Sequence, residues 1–177
     1  MTYKKERGMG MELKIPENFF VGAAMSGPQT EGAYKTGGRL ESIWDTWSDL
    51  SISDFYNKVG SYVGNNFYEK YEDDIKLLKS LHMDSFRTSM QWSRLLTKDG
   101  KLNQEGAQFY HKVCKCAKEN QIELFMNLYH FDMPTYLFER GGWESRDVVE
   151  AYAAYARAAF REFGSEIRYW FTFNEPI

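Results

Sequence analysis

A nearly continuous apolar run occupies the middle of the chain, Ile122-Glu123-Leu124-Phe125-Met126-Asn127-Leu128-Tyr129, with polar residues on both sides of it. Such a run predicts a β-strand that is buried on both faces, as in a parallel sheet covered by helices. His130 and Asp132 follow at once. The same stretch therefore brings polar side chains to the carboxyl end of the strand.

The segments on either side of this run have the period of amphipathic helices. Asn103 is a plausible N-cap for a helix that runs to about Glu119, and Ser145 begins another that Gly164 ends. A third helix is predicted over 66–82, because apolar residues recur there at steps of three and four. Further strands are predicted over 19–24, 84–90 and 169–173, and 48–65 is interpreted as loop.

This alternation of strands and helices predicts an α/β fold with a parallel sheet. Both a doubly wound sheet and a barrel fit the pattern, but no Gly-x-Gly-x-x-Gly follows the first strand, so a dinucleotide site has no support. An eight-fold (β/α)8 TIM barrel needs about 250 residues. Four βα units in 177 residues therefore predict about half of such a barrel over residues 13–177, after a disordered lead-in over residues 1–12.

Composition and charge argue against several classes of partner. The net charge is −3 and the basic residues are dispersed, so neither nucleic acid nor an anionic membrane is expected as a partner. No apolar run approaches the roughly 20 residues of a membrane span, and the charged N-terminus lacks the apolar stretch of a signal peptide. Cys114 and Cys116 lie two apart in a helical pattern, which predicts free thiols in a cytoplasmic protein and no metal site or cofactor.

Polar side chains collect at the ends of the predicted strands: Gln29, Arg87, His130, Asn174 and Glu175. The carboxyl ends of the strands carry the active site in barrels of this kind. An ordinary loop carboxylate at Glu175 and a satisfied core histidine at His130 are the alternatives. Arg87, inside an apolar strand, needs an acidic partner or other acceptors. Pro176 predicts an extended backbone at Glu175.

Several motifs occur in a recognisable order from Pro16 onward. They are Phe19-Phe20-Val21-Gly22-Ala23-Ala24-Met25-Ser26 with Gln29-Thr30-Glu31-Gly32, Ser42-Ile43-Trp44-Asp45, Phe86-Arg87-Thr88-Ser89-Met90-Gln91-Trp92-Ser93-Arg94, Tyr129-His130-Phe131-Asp132-Met133-Pro134, and Trp170-Phe171-Thr172-Phe173-Asn174-Glu175-Pro176. Together they resemble glycoside hydrolase family 1, the β-glucosidases and 6-phospho-β-glucosidases of bacteria among them.

The resemblance implies that residues 13–177 are the N-terminal half of a TIM barrel that hydrolyses β-linked glucosides, with or without a 6-phosphate, with retention of configuration. Glu175 matches the general acid/base of that family, and Arg87 matches the arginine that pairs with its nucleophilic glutamate. Asn174 matches the ligand of the sugar 2-hydroxyl. Gln29 and His130 match ligands of the 3- and 4-hydroxyls.

Two features depart from the family pattern. Phe131 stands where many members have Trp, and the Thr/Ser-Glu-Asn-Gly segment that carries the nucleophile does not occur. We therefore expect this chain to be inactive alone. The alternative is a non-catalytic carbohydrate-binding or self-assembling half-barrel, which predicts sugar binding without hydrolysis. Unpaired edges at the first and fourth strands also predict a homo-oligomer.

Overall fold

The computed structural model describes residues 14–50 and 54–176, so the lead-in predicted over residues 1–12 lies outside the described residues. The strands are β1 (Gly22–Ala24), β2 (Ser85–Ser89), β3 (Glu123–Tyr129) and β4 (Tyr169–Phe173). The helices are α1 (Gly27–Thr30), α2 (Ile43–Leu50), α3 (Phe67–Ser80), α4 (Trp92–Leu95), α5 (Gln104–Glu119), α6 (Thr135–Phe138) and α7 (Arg146–Phe163). Short 3-10 turns occupy Tyr56–Lys58 and Gly142–Glu144.

The four strands form one parallel sheet in the order β1-β2-β3-β4. Arg87 of β2 lies opposite Phe125 of β3, which lies opposite Tyr169 of β4. This topology confirms the four predicted βα units. β1 is shorter than predicted, because β2 begins only at Ser85 and residues 19–21 therefore have no strand opposite them. Val21 instead donates its N–H to the Asp84 side chain.

The long helices lie close to their predicted positions, but their N-caps work differently from the prediction. Neither Asn103 nor Ser145 makes a side-chain capping hydrogen bond. The Asn103 amide instead donates to the carbonyl oxygens of Gly37, at 2.6 Å, and Arg94, at 2.9 Å. The start of α5 is therefore held to two other segments of the chain, as well as by its own backbone.

The loop prediction over 48–65 was wrong at its start, because α2 extends to Leu50. α2 begins after Ser42, whose N–H and hydroxyl both donate to the Asp45 carboxylate at 2.8 and 2.9 Å. A side chain that binds back to the residue before the first turn stabilises a helix start. The four-residue helices α1, α4 and α6 were not predicted.

The core lies between the sheet and the helices, and the opposite face of the sheet is open. Met126 and Leu128 of β3 are fully buried, whereas Phe125 is only half-buried. The prediction that both faces of this strand are buried therefore holds only for its second half. On the open face the Phe125 ring stacks on Tyr169 at 4.6 Å and contacts the edge of Phe20 at 5.3 Å.

Two further sequence predictions can be compared with the fold. Cys114 and Cys116 are both buried and free, which confirms the prediction of free thiols. Across 14–50 and 54–176, no helix combines the length and the apolar character that crossing a bilayer requires.

Candidate active site

Arg87 and Asn174 meet at the carboxyl edge of the sheet. The Arg87 guanidinium donates to the Asn174 Oδ1 at 2.8 Å and lies 5.7 Å from the centre of the Phe171 ring. The backbone N–H of Asn174 donates to the Tyr129 carbonyl at 2.9 Å, which continues the β3–β4 pairing. Side chains from β2 and from the end of β4 are thus joined across β3, as the strand-end prediction requires.

His130 lies at the end of β3 and is 8% exposed. Burial and the nearby positive charge of Arg87 lower the pKa of His130 to about 4. The imidazole is therefore neutral near pH 7 and offers one N–H donor and one nitrogen acceptor. A neutral ring of this kind suits a sugar hydroxyl, which both donates and accepts.

Gln29 lies on α1, the turn that follows β1, and its side chain is exposed. The buried Ser26 hydroxyl donates to the Gln29 Oε1 at 2.5 Å. The Gly27 N–H donates to the Ser89 Oγ at 2.8 Å, and a Cβ at Gly27 would stand 2.7 Å from the Gln91 side chain. Only glycine lets α1 pack this closely on the end of β2, so Gln29 is presented beside the strand that carries Arg87.

Glu175 follows Asn174 directly and is exposed to solvent. Its φ of +46° lies in the left-handed region, so the extended backbone predicted from Pro176 was wrong. The chain turns away immediately after the last sheet hydrogen bond, that of Asn174, and this turn outweighs the local preference. A non-glycine residue in this conformation stores roughly 1–2 kcal/mol of strain. Residues with strained backbones of this kind cluster at functional sites.

A buried polar network beneath the site was not predicted. Glu31 is 1% exposed and forms an ion pair with Arg94, Oε2 to Nε at 2.8 Å. The same carboxylate accepts from Gln91 Nε2 at 2.6 Å and from the Tyr110 hydroxyl at 2.8 Å. This network, which we call the Glu31 network, fastens the segment after α1 to α4 and α5.

Gln91 extends the Glu31 network to a second buried ion pair. Its Oε1 accepts from Arg39 Nε at 3.0 Å, and Arg39 in turn contacts the Asp45 carboxylate at 2.7 Å. Glu31, Asp45, Gln91 and Arg94 all belong to the motifs quoted above, but no local pattern indicates that they contact one another. Charged residues embedded in apolar segments are the one sequence signal that points to them.

No set of three or more His, Cys, Asp and Glu side chains within 14–50 and 54–176 is placed to hold a metal ion. The polar groups at the sheet edge are instead amides, a neutral imidazole, a guanidinium and a carboxylate. Side chains of these types donate hydrogen bonds to hydroxyl groups or accept hydrogen bonds from them.

Comparison with known proteins identifies close relatives. A family model described as Glycosyl hydrolase family 1 matches residues 11–177. The chain is 42% identical over 167 residues to the 6-phospho-beta-glucosidase GmuD of Bacillus subtilis, covering 94% of this chain and 36% of that protein. It is 41% identical to Beta-glucosidase 9 of Arabidopsis thaliana, covering 91% of this chain and 31% of that protein.

Solved structures that resemble this one include β-glucosidases with the TIM-barrel fold. The family 1 β-glucosidase of Thermotoga maritima superposes with a TM-score of 0.87 at 33% identity, covering 92% of this chain and 37% of that one. A rice β-glucosidase mutant in a covalent complex with Glc gives a TM-score of 0.86 at 36% identity, covering 91% of this chain and 34% of that one. The chain thus spans about a third of the length of the relatives it matches.

Proposed function

The chain belongs to glycosyl hydrolase family 1, and we propose that it carries the acid/base side of the active site of a retaining β-glucosidase. The observation that carries this proposal is the hydrogen bond between Arg87 and Asn174, with Glu175 next in the chain and His130 at the neighbouring strand end. Four side-chain types that a retaining glycosidase uses thus come from three consecutive strands.

In this proposal Glu175 acts first as an acid and then as a base. Its carboxyl group protonates the glycosidic oxygen as the bond to the sugar breaks, and its carboxylate then takes a proton from the attacking water. Glu175 is exposed, which leaves it accessible to a leaving group and to water.

The other residues bind and orient the sugar. Because Arg87 donates to the Asn174 Oδ1, the Asn174 amide directs its Nδ2 hydrogens away from that bond, where they can donate to the 2-hydroxyl. Ser26 likewise engages the Gln29 Oε1 and leaves the Gln29 Nε2 hydrogens for a hydroxyl. His130, neutral near pH 7, supplies a further donor or acceptor.

A retaining mechanism also needs a nucleophilic carboxylate about 5–5.5 Å from the acid/base. We propose that this carboxylate belongs to a longer protein of which this chain forms about a third, and that it pairs with Arg87. The covalent Glc complex of the rice relative supports a glycosyl–enzyme intermediate for this family. The chain alone should then bind sugar but not turn it over.

We propose β-glucosides as the substrate class, with or without a 6-phosphate. Relatives named for either substrate match at similar identity, 42% and 41%. Comparing p-nitrophenyl β-D-glucoside with its 6-phosphate on the longer protein separates the two. A preference of less than twofold for either substrate would mean that the protein does not recognise the phosphate.

The acid/base role of Glu175 is tested by leaving-group dependence in the longer protein. Glu175→Gln should lower turnover of a phenyl β-D-glucoside by about 10²–10⁴-fold, the usual contribution of a general acid. A 2,4-dinitrophenyl β-D-glucoside releases a phenolate that needs no proton, so Glu175→Gln should lower the rate of its first step far less. Glu139→Gln, also at an exposed glutamate, is the matched control. Equal losses in kcat/KM, which reports the first step, on both substrates would refute the acid role of Glu175.

We also propose that the isolated chain self-associates through its open edges, in a reducing compartment such as the cytoplasm. β1 and β4 each pair on one side only, and Phe20 and Phe171 are 42% and 44% exposed on or beside the sheet. The two free cysteines support the compartment. Light scattering that finds a monodisperse monomer would contradict the self-association.

A further inference from the structure

Asp132 has an environment unlike that of the site residues around it. Its side chain is fully buried, and its two oxygens each accept a backbone N–H. Oδ2 accepts from Trp92, the first residue of α4, at 2.7 Å, and Oδ1 accepts from His130 at 3.3 Å. One carboxyl group therefore joins the end of β3 to the turn that follows β2.

The segment that Asp132 braces is strained. Phe131, between His130 and Asp132, has a φ of +65°, a conformation that bulky side chains rarely adopt. The backbone can keep this turn only if surrounding contacts hold it. The hydrogen bond from the His130 N–H to Asp132 closes the turn from within, and the bond from Trp92 anchors it from outside.

The anchor itself is rigid. The Trp92 ring stacks on Tyr155 of α7 at 5.3 Å with an interplanar angle of 12°. The Tyr155 hydroxyl lies 2.8 Å from the Met90 carbonyl and 2.9 Å from the Leu128 carbonyl, at the ends of β2 and β3. Through Trp92 and Tyr155, Asp132 is thus tied to the ends of β2, which carries Arg87, and β3, which His130 follows.

We propose that Asp132 is the positioning residue for His130: its carboxylate fastens the backbone of the β3 end to α4 and so aims the imidazole at the sheet edge beside Arg87. This inference rests on the proposed function only in calling His130 a sugar ligand. Asp132 does not touch the substrate.

The protonation of Asp132 gives this role a pH signature. Burial raises the pKa of Asp132 to about 7, against the opposing effects of the two N–H groups and of Arg39. The neighbouring charged and titratable groups are Arg39 and His130, together with Tyr129, Tyr152 and Tyr155, whose pKa values are themselves raised. As pH falls through about 7, the carboxylate takes up a proton and accepts the two N–H groups more weakly.

The test is an NMR experiment on this chain labelled with ¹⁵N and with ¹³C-aspartate. The backbone amides of His130 and Trp92 should titrate with the same midpoint as the Asp132 carboxyl carbon. In Asp132→Asn both titrations should disappear and the His130 ring signals should shift, while His111 stays unchanged. Asp147→Asn, at a side chain that is 76% exposed, is the matched control and should leave all of these signals in place.

A purely structural role predicts a different outcome. Asp132→Asn would then lower stability and shift the His130 amide, its direct hydrogen-bond partner, but leave the His130 ring signals of the folded protein unchanged, which would overturn the proposal. If the variant does not fold, the wild-type titration decides alone. Midpoints that differ between the His130 amide and the Asp132 carboxyl would also overturn it.

Adding D-glucose separates this inference from the proposed function. The variant should bind glucose roughly tenfold more weakly, the factor for one well-oriented hydrogen bond. If the wild-type His130 ring does not respond to glucose, the sugar-ligand role fails. The coupled titration of Asp132 and His130 would still support the positioning role in that case.

Discussion

Replacing Glu31 by glutamine should remove about 3–5 kcal/mol from the free energy of unfolding, the usual cost of breaking a buried ion pair from one side. Glu31 is 1% exposed and Arg94 is 0% exposed, so neither can turn to water. The carboxylate accepts hydrogen bonds from Arg94, Gln91 and Tyr110. A glutamine has only one acceptor oxygen, and its NH₂ group would face donors.

The size of the loss makes it measurable in a urea titration followed by tryptophan fluorescence. With an m-value of about 2 kcal/mol per M, a loss of about 4 kcal/mol moves the unfolding midpoint by about 2 M. The matched control is Glu150→Gln, which breaks an ion pair with Arg146 whose side chains are 59% and 81% exposed. That substitution should cost less than about 1 kcal/mol.

Equal shifts for the two glutamines would refute the reasoning, because Glu31 is buried and accepts hydrogen bonds from three side chains, whereas the Glu150 pair is exposed. A double substitution, Glu31→Leu with Arg94→Met, sharpens the test. It removes both charges, so it should be less destabilising than Glu31→Gln alone. A double variant that is more destabilised would mean that the hydrogen bonds of the Glu31 network outweigh the penalty of the unpaired charge.

Three further predictions follow from the packing around the sheet. Tyr155→Phe should cost about 1–3 kcal/mol in urea unfolding, because two buried strand-end carbonyls lose their donor, whereas Tyr56→Phe, at an 89% exposed ring, should change nothing measurable. Burial alone would lower the pKa of His111, but two glutamates outweigh burial and raise that pKa. The stabilisation of the folded chain by these contacts is therefore complete below the unfolded-state pKa of about 6.5 and is lost as pH rises through the raised value. His111→Gln should flatten this pH dependence of the free energy of unfolding between pH 6 and 8. Cys114, whose pKa burial raises to about 12, and Cys116 should react with a thiol reagent far more slowly in the native chain than in urea, and fast labelling of the native chain would contradict the packing.

The long helices and the strand order could be predicted because both depend on local pattern. The helix expected over 66–82 is α3, Phe67–Ser80, and the strand expected over 84–90 is β2, Ser85–Ser89. The four-residue helices could not be found this way, because a single turn has no period. α2 did carry a signal, Ser42-Ile43-Trp44-Asp45, which is a capping box when the first and fourth residues bind each other.

The candidate site shows the same difference between features that a local pattern predicts and features that depend on distant contacts. The position of its members at one edge could be predicted, since a parallel sheet gathers the carboxyl ends of its strands there, and Arg87 contacts Asn174 at that edge; their roles stay predictions. The Glu31 network could not be predicted, because the side chains that Glu31 contacts lie 60 or more residues away from it along the chain, and no local pattern links them to it. The left-handed backbone of Glu175 was missed because tertiary geometry, not the following proline, determines it.

The order of the strands in the sheet has a consequence for how the chain folds as it is synthesised. Each strand pairs with the one made just before it, so the sheet can grow at one edge as the chain lengthens. The Glu31 carboxylate, however, is made 63 residues before Arg94, its partner. Until Arg94 emerges, burying Glu31 leaves a charge without a counterion, and the first βα unit has reason to stay open. We therefore expect the segment around α1 to close only after β2 and α4 have both been added.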